Sequence, residues 1–134
     1  MYAGGGQHDL RDPSVHVVRL VRDAKLDGVI SAEVVQEILH RFLAIRRAPV
    51  GVQMARDALD LFGPVLPLTH RVMDRMPDLV GRYPALAARD LIHVATCLEE
   101  GIGVIVSPDR GFDRVRELRR VAPDDADAVA ALAG

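Results

Sequence analysis

The chain has no tryptophan, only two tyrosines and three phenylalanines, so aromatic residues make up 4% of its 134 positions. A core must therefore be built from Val, Leu, Ile and Ala, and the aromatic platforms on which many single-strand binders stack bases are scarce. A single cysteine, Cys97, excludes an internal disulfide, and no basic-plus-apolar leader precedes the domain. Both point to the reducing cytoplasm. No apolar run approaches the roughly 18 to 20 residues that cross a bilayer, so no membrane span is expected. A net charge of −2 argues against a protein that coats polyanions generally, while leaving room for a localised basic rim.

What is present is the balance of a soluble globular domain: 49% hydrophobic and 27% charged residues, which excludes low-complexity and disordered classes. The length suits one domain with its own core and is short for two. The domain is expected over 1–122, with 123–134 as an Ala- and Asp-rich C-terminal tail, helical or frayed.

Gly4-Gly5-Gly6 marks a flexible turn, and Asp12-Pro13 a helix start, with Asp12 as N-cap and Pro13 in the first turn of a helix reaching about 25. Gly28 stops that helix. Val29-Ile30 follows as a short buried strand, and Ser31 is a good N-cap for a helix over 32–46, where Val34, Val35, Ile38, Leu39 and Phe42 recur at helical spacing. Pro49 and Gly51 break the pattern before a helix over 52–62, which Gly63-Pro64 ends. Residues 65–68 form a strand candidate. Thr69 can cap a helix to about 83, which Pro77 must kink or split. A helix over 90–100 closes at Gly101, the apolar run Val104-Ile105-Val106 is typical of a parallel strand covered on both faces, and 112–120 has the spacing of a last helix. Helices alternating with short apolar strands imply an α/β domain with a helix-covered parallel sheet. In such sheets ligands sit at the carboxyl ends of strands, here just after Ile30, Leu68 and Val106.

Several acids fall near those ends. Asp109 follows the third strand in Ser107-Pro108-Asp109-Arg110-Gly111-Phe112-Asp113. Alone it is a turn aspartate capping the next helix, with Asp113 one helical turn later, able to share its face. Asp90 opens its helix where spacing stacks it with Val94 and Cys97, so its carboxylate points partly inward; it is either a functional group or one that merely complements the helix dipole, and alone it does not decide between them. His93 has the character of a packed or surface histidine and takes no catalytic role. On the helix after Ser31, spacing does not choose between Glu33 and Glu37, and singly each is a solvated helix position. Gathered in one cleft, such carboxylates would repel unless protonated or bridged by a cation, and hard divalent ions such as Mg²⁺ suit oxygen ligands. No Gly-rich phosphate loop before a lysine, no Cys/His zinc spacing and no nucleophile-elbow serine competes with that chemistry.

In order along the chain, Tyr2-Ala3-Gly4-Gly5-Gly6, Ile30-Ser31-Ala32-Glu33-Val34-Val35-Gln36-Glu37-Ile38-Leu39, Ala88-Arg89-Asp90-Leu91-Ile92-His93-Val94-Ala95 and Ser107-Pro108-Asp109-Arg110-Gly111-Phe112-Asp113 resemble the signature of PIN domains, the family of the VapC toxin ribonucleases. The likeness spans 2–120. It implies a three-layer α/β/α fold with a short parallel sheet, and RNA hydrolysis by a water activated through Mg²⁺ or Mn²⁺, most often as the toxin of a toxin–antitoxin pair. It also implies that Glu37, Asp90 and Asp109 are the catalytic, metal-binding carboxylates, with Asp113 a further metal ligand. A homodimer and a cognate antitoxin protein reaching the acidic cleft are implied as well. Arg89 and Arg110 beside the acids are candidates for contacting substrate phosphates, and Arg46-Arg47 for a basic helix end.

The chain departs from the family at its beginning. Members start with a central apolar strand ending in an aspartate, a few residues before the position matched by Tyr2-Ala3, and here both are missing. Loss of that strand is expected to leave its neighbours with unpaired backbone groups in a buried layer. The alternatives are a PIN-like module that binds an antitoxin or RNA without cleaving it, and an unrelated α/β binding domain whose acids are caps and solvated charges.

Overall fold

The expected alternation of helices and short strands is present in a computed structural model of the chain, which describes residues 18–133. The glycine turn at 4–6, the helix start at Asp12-Pro13 and the Tyr2-Ala3 block lie outside the described residues. Residues 18–22 are helical, and Ala24 turns left-handed at φ 57°, so the helix stops before Lys25.

Helix α1 (Ala32–Ala44) packs against α2 (Ala48–Phe62). The second of these begins earlier than its sequence suggests. Pro49 sits in the first turn, where its missing N–H costs nothing. Gly51 is a contact point rather than a break: a Cβ there would lie 2.6 Å from Phe42 Cβ, so the two helices touch because that position carries no side chain.

The strand candidate at 65–68 is reduced to a single residue. Leu66 N donates to Ile30 O and Ala32 N to Leu66 O, both at 2.8 Å, forming one parallel bridge between Ser31 and Leu66. Pro64 and Pro67 flank the bridge without amide hydrogens, and so no longer ladder can form. Thr69 caps the next helix as expected, its hydroxyl accepting from Val72 N at 3.2 Å. Pro77 splits this region into α3 (His70–Asp74) and α4 (Met76–Arg82).

Helix α5 (Ala88–Glu99) closes through Gly101 at φ 68°, with Ile102 N reaching back to Cys97 O at 2.8 Å. Strand β1 (Val104–Val106) follows. The helix expected over 112–120 does not form. In its place a 3₁₀ helix (Arg110–Arg114) leads into strand β2 (Arg119–Val121), parallel to β1 with Val104 opposite Arg119 and Val106 opposite Val121. Phe112, Val115, Leu118 and Val121 recur every third residue and are all buried. That spacing imitates a helix, but residues 119–121 instead pair their backbone with β1. Beyond it, α6 (Ala126–Ala133) starts at Asp125, whose side chain accepts from Ala128 N, and buries Val129.

The core lies in two clusters. The larger is built around Leu91, Val94 and Ala95 of α5, against Val72, Leu79 and the 112–118 segment; the smaller joins Ile30 to Ala58 and Phe62. All three phenylalanines are buried, so the scarce aromatics are spent on packing. Fully burying one such side chain contributes about 1.5–3 kcal/mol. Among the described residues the Ser31–Leu66 bridge and the β1–β2 pair are not hydrogen-bonded to each other. Val29 is 48% and Val106 37% exposed, so these two positions are not covered as expected, whereas Ile30 and Val121 are buried. No helix among the described residues is long and apolar enough to cross a membrane.

Candidate active site

Asp90 occupies the first turn of α5, where Ala87 supplies no side-chain cap and a carboxylate complements the positive end of the helix. One turn later His93 faces α1. Its Nε2 lies 3.0 Å from Glu37 Oε1, and its Nδ1 lies 3.0 Å from Ser31 Oγ. Between Glu33 and Glu37, which spacing left open, it is Glu37 that meets His93 and whose charge acts on Asp90. Burial disfavours the ionised form of Glu37, but the hydrogen bond and charge of His93, with Arg89 beyond, outweigh it and hold this carboxyl below its ordinary value.

Asp90 is shifted the other way. Burial raises its pKa first, and the charge of Asp109 adds to that; Glu37 pushes in the same direction, while His93 and Arg89 oppose it. Three acids from α1, α5 and the loop after β1 therefore share one electrostatic neighbourhood. Asp109 is the N-cap of the 3₁₀ helix, its Oδ1 accepting from Gly111 N at 2.8 Å while its own N–H donates to Ser107 Oγ at 3.1 Å. The capping role and the place after the strand end are both realised. Asp113 is turned to Arg120, with Nε to Oδ1 at 2.8 Å and Nη2 to Oδ2 at 3.3 Å, and this pairing holds its carboxyl below the usual range. Arg120 also donates to Ser107 O at 3.0 Å, tying the pair to the loop of Asp109.

Among the described residues no three of His, Cys, Asp and Glu lie together closely enough to hold a metal ion. The donors are nevertheless hard oxygens, and the mutual repulsion felt by Asp90 is what a cation would relieve. Mg²⁺ keeps several waters and uses one or two carboxylates, so the acids fit a hydrated divalent ion better than a fully protein-ligated one. Arg89 and Arg110 are exposed beside the acids. A groove of about 300 Å³ is lined by Arg82, Tyr83, Leu86, Arg114 and Arg116, with Arg82 paired to Glu117. Burial pushes the Cys97 thiol up to about 11, leaving it an inert packing group.

His93 and Ser31 are the residues that sequence reasoning undervalued. Ser31 does occupy the N-cap position of α1, yet its hydroxyl makes no cap bond. It goes instead to the imidazole, because a mostly buried ring nitrogen must find a partner. The three-residue step from Asp90 to His93 was the available signal.

An α/β domain with a short parallel strand pair and Asp109 in the loop just after its first strand is the class that this geometry defines. A family model described as PIN domain matches residues 9–118, and the chain belongs to the PIN domain family. Among curated proteins it is similar to VapC ribonuclease Mb1869c of Mycobacterium bovis and to Ribonuclease VapC13 of Mycobacterium tuberculosis. Each is 36% identical over 126 residues, covering 91% of this chain and 93% of the relative. It is also similar to Ribonuclease VapC7 of Mycobacterium tuberculosis, 30% identical over 137 residues, covering 98% of this chain and 92% of the relative. No solved structure gives a significant match.

Proposed function

We propose that this chain is an endoribonuclease of the VapC toxin type that hydrolyses RNA phosphodiesters with Mg²⁺ or Mn²⁺. The observation that carries the reading is its 36% identity, over most of its length, to proteins named VapC ribonucleases. The repulsion gathered on Asp90 supports the metal. Glu37, Asp90 and Asp109 would hold the ion, and Asp113 would serve the same loop while paired with Arg120. When bound, a hard divalent ion supplies an activated water and neutralises charge on the phosphodiester. The chain's own groups do the rest: the acids concentrate negative charge where the ion sits, and Arg89 and Arg110 draw phosphate to the cleft. RNA is the substrate, the cytoplasm the compartment, and a cognate antitoxin protein the partner. A homodimer fits the exposed apolar side chains of Leu43, Ile45, Val52 and Leu59 on the α1–α2 pair.

A second reading, a PIN-like module that binds antitoxin or RNA without cleaving it, is favoured because no three acids or other ligating side chains among the described residues lie together closely enough to hold a metal ion. One assay separates the two. Purified chain is incubated with RNA and Mg²⁺ or Mn²⁺, beside Glu37→Gln, Asp90→Asn and Asp113→Asn variants whose folding is checked by circular dichroism. Metal-dependent cleavage is expected, cut by roughly 100-fold or more in the first two variants and less in the third. Several kcal/mol of charge stabilisation are at stake and each ~1.4 kcal/mol is tenfold in rate. Specific RNA binding with no cleavage under any metal selects the second reading.

A further inference from the structure

Ser31, His93 and Glu37 come from different elements and meet in one line. Ser31 ends the bridged residues at Ile30-Ser31 and is 7% exposed; His93 belongs to α5 with a side chain 14% exposed; Glu37 projects from α1 at 31%. An ionised Glu37 can only accept, so Nε2 of His93 donates to Oε1, while Nδ1 lies against the Ser31 hydroxyl. The contacts thus run from Ser31 through the ring to Glu37 Oε1. A serine at a helix N-cap with extended backbone (φ −79°, ψ 159°) whose side chain makes no bond to its own helix is unusual. Its hydroxyl is committed to the ring.

We propose that His93, oriented by Ser31, is a positioning residue for Glu37: it clamps Oε1 and so holds the carboxylate in place for a divalent cation. This rests on the metal-dependent reading above. A glutamate loses rotamer freedom when it ligates an ion, and one already clamped by a ring nitrogen has lost that freedom in the folded protein. Hydrogen bonds behind a ligating group also fix its direction, and removing them typically weakens metal affinity 10- to 100-fold.

The test is Mn²⁺ titration calorimetry on the full chain and on His93→Leu, His93→Gln and Ser31→Ala, each at a temperature where circular dichroism shows it folded. His93→Leu is expected to weaken Mn²⁺ binding roughly 10- to 100-fold. His93→Gln, whose amide can donate where Nε2 did, should recover most of that loss, and Ser31→Ala should fall between. Ring-nitrogen NMR of the metal-free protein should find His93 Nε2 carrying a proton and donating to Glu37, and this holds as a readout even if a variant fails to fold. A purely structural staple between α1 and α5 would lower the melting temperature and leave Mn²⁺ affinity unchanged in folded His93→Leu. That result, or a ring protonated only on Nδ1, overturns the positioning role alone. If the unmutated chain does not bind Mn²⁺, the metal reading fails and takes this role with it.

Discussion

Glu37 and Asp90 carry the same functional group on neighbouring helices and are displaced in opposite directions, Glu37 lowered and Asp90 raised. Their effects on stability therefore have opposite signs. The contribution of Glu37 is present above the ordinary glutamate value and is lost as pH falls through its lowered folded value. That of Asp90 is present below the ordinary aspartate value and is lost as pH rises through its raised folded value. In metal-free protein, Glu37→Gln should cost up to about 1 kcal/mol at neutral pH, a figure kept low because the side chain is partly solvated. That cost should shrink toward acid. Asp90→Asn should behave in reverse, its stability relative to the unmutated chain improving as pH rises across the carboxylate range. Urea unfolding at a series of pH values measures both trends, and parallel trends would show that the two acids do not occupy the contrasting environments described.

At the scale of elements, α1 shows one strained end and one tight contact. Its C-terminus closes with Arg46 at φ 58°, Arg47 N reaching Phe42 O at 2.7 Å and Arg46 N reaching Leu43 O at 3.1 Å. This is the left-handed closure that normally holds glycine. Arg46→Gly should therefore stabilise the protein, by about 0.5–1 kcal/mol, because a side chain in that conformation costs roughly 1–2 kcal/mol and part of the gain is returned as unfolded-state entropy. Gly51→Ala should do the opposite. Alanine gains nearly 1 kcal/mol of helix propensity, but a Cβ 2.6 Å from Phe42 Cβ has no flexible neighbour to displace. Overpacking costs of about 1–3 kcal/mol should win, for a net loss of up to about 2 kcal/mol. Chemical denaturation of the two variants gives both signs, and a stabilised Gly51→Ala would mean that the helices part without penalty.

For the whole molecule, a cation that binds the folded acids and not the unfolded chain must stabilise the fold. At a free concentration 100 times its dissociation constant it contributes about 2.7 kcal/mol, which for a domain of this size raises the melting temperature by about 10 °C. A thermal melt with and without Mn²⁺ is expected to show that rise, and Asp90→Asn to abolish it; an equal rise in the variant would place the ion elsewhere.

Much of this organisation was legible in the chain because it is local chemistry. Thr69 beside Val72, Pro77 inside a helical run, Gly101 after α5 and the apolar triplet Val104-Ile105-Val106 each act within a few residues, so they fixed the α/β order and most helix ends. The acids Glu37, Asp90 and Asp109 were named by motif likeness, again a pattern read in order along the sequence. Tertiary structure decided the rest. The segment at 112–120 became a 3₁₀ turn and a strand because the backbone of β1 needed a partner. Ser31 gave up its cap for a ring 62 positions away, and that ring reached a carboxylate 56 positions away. Burial and charge from distant elements set those partnerships, and no local spacing encodes them.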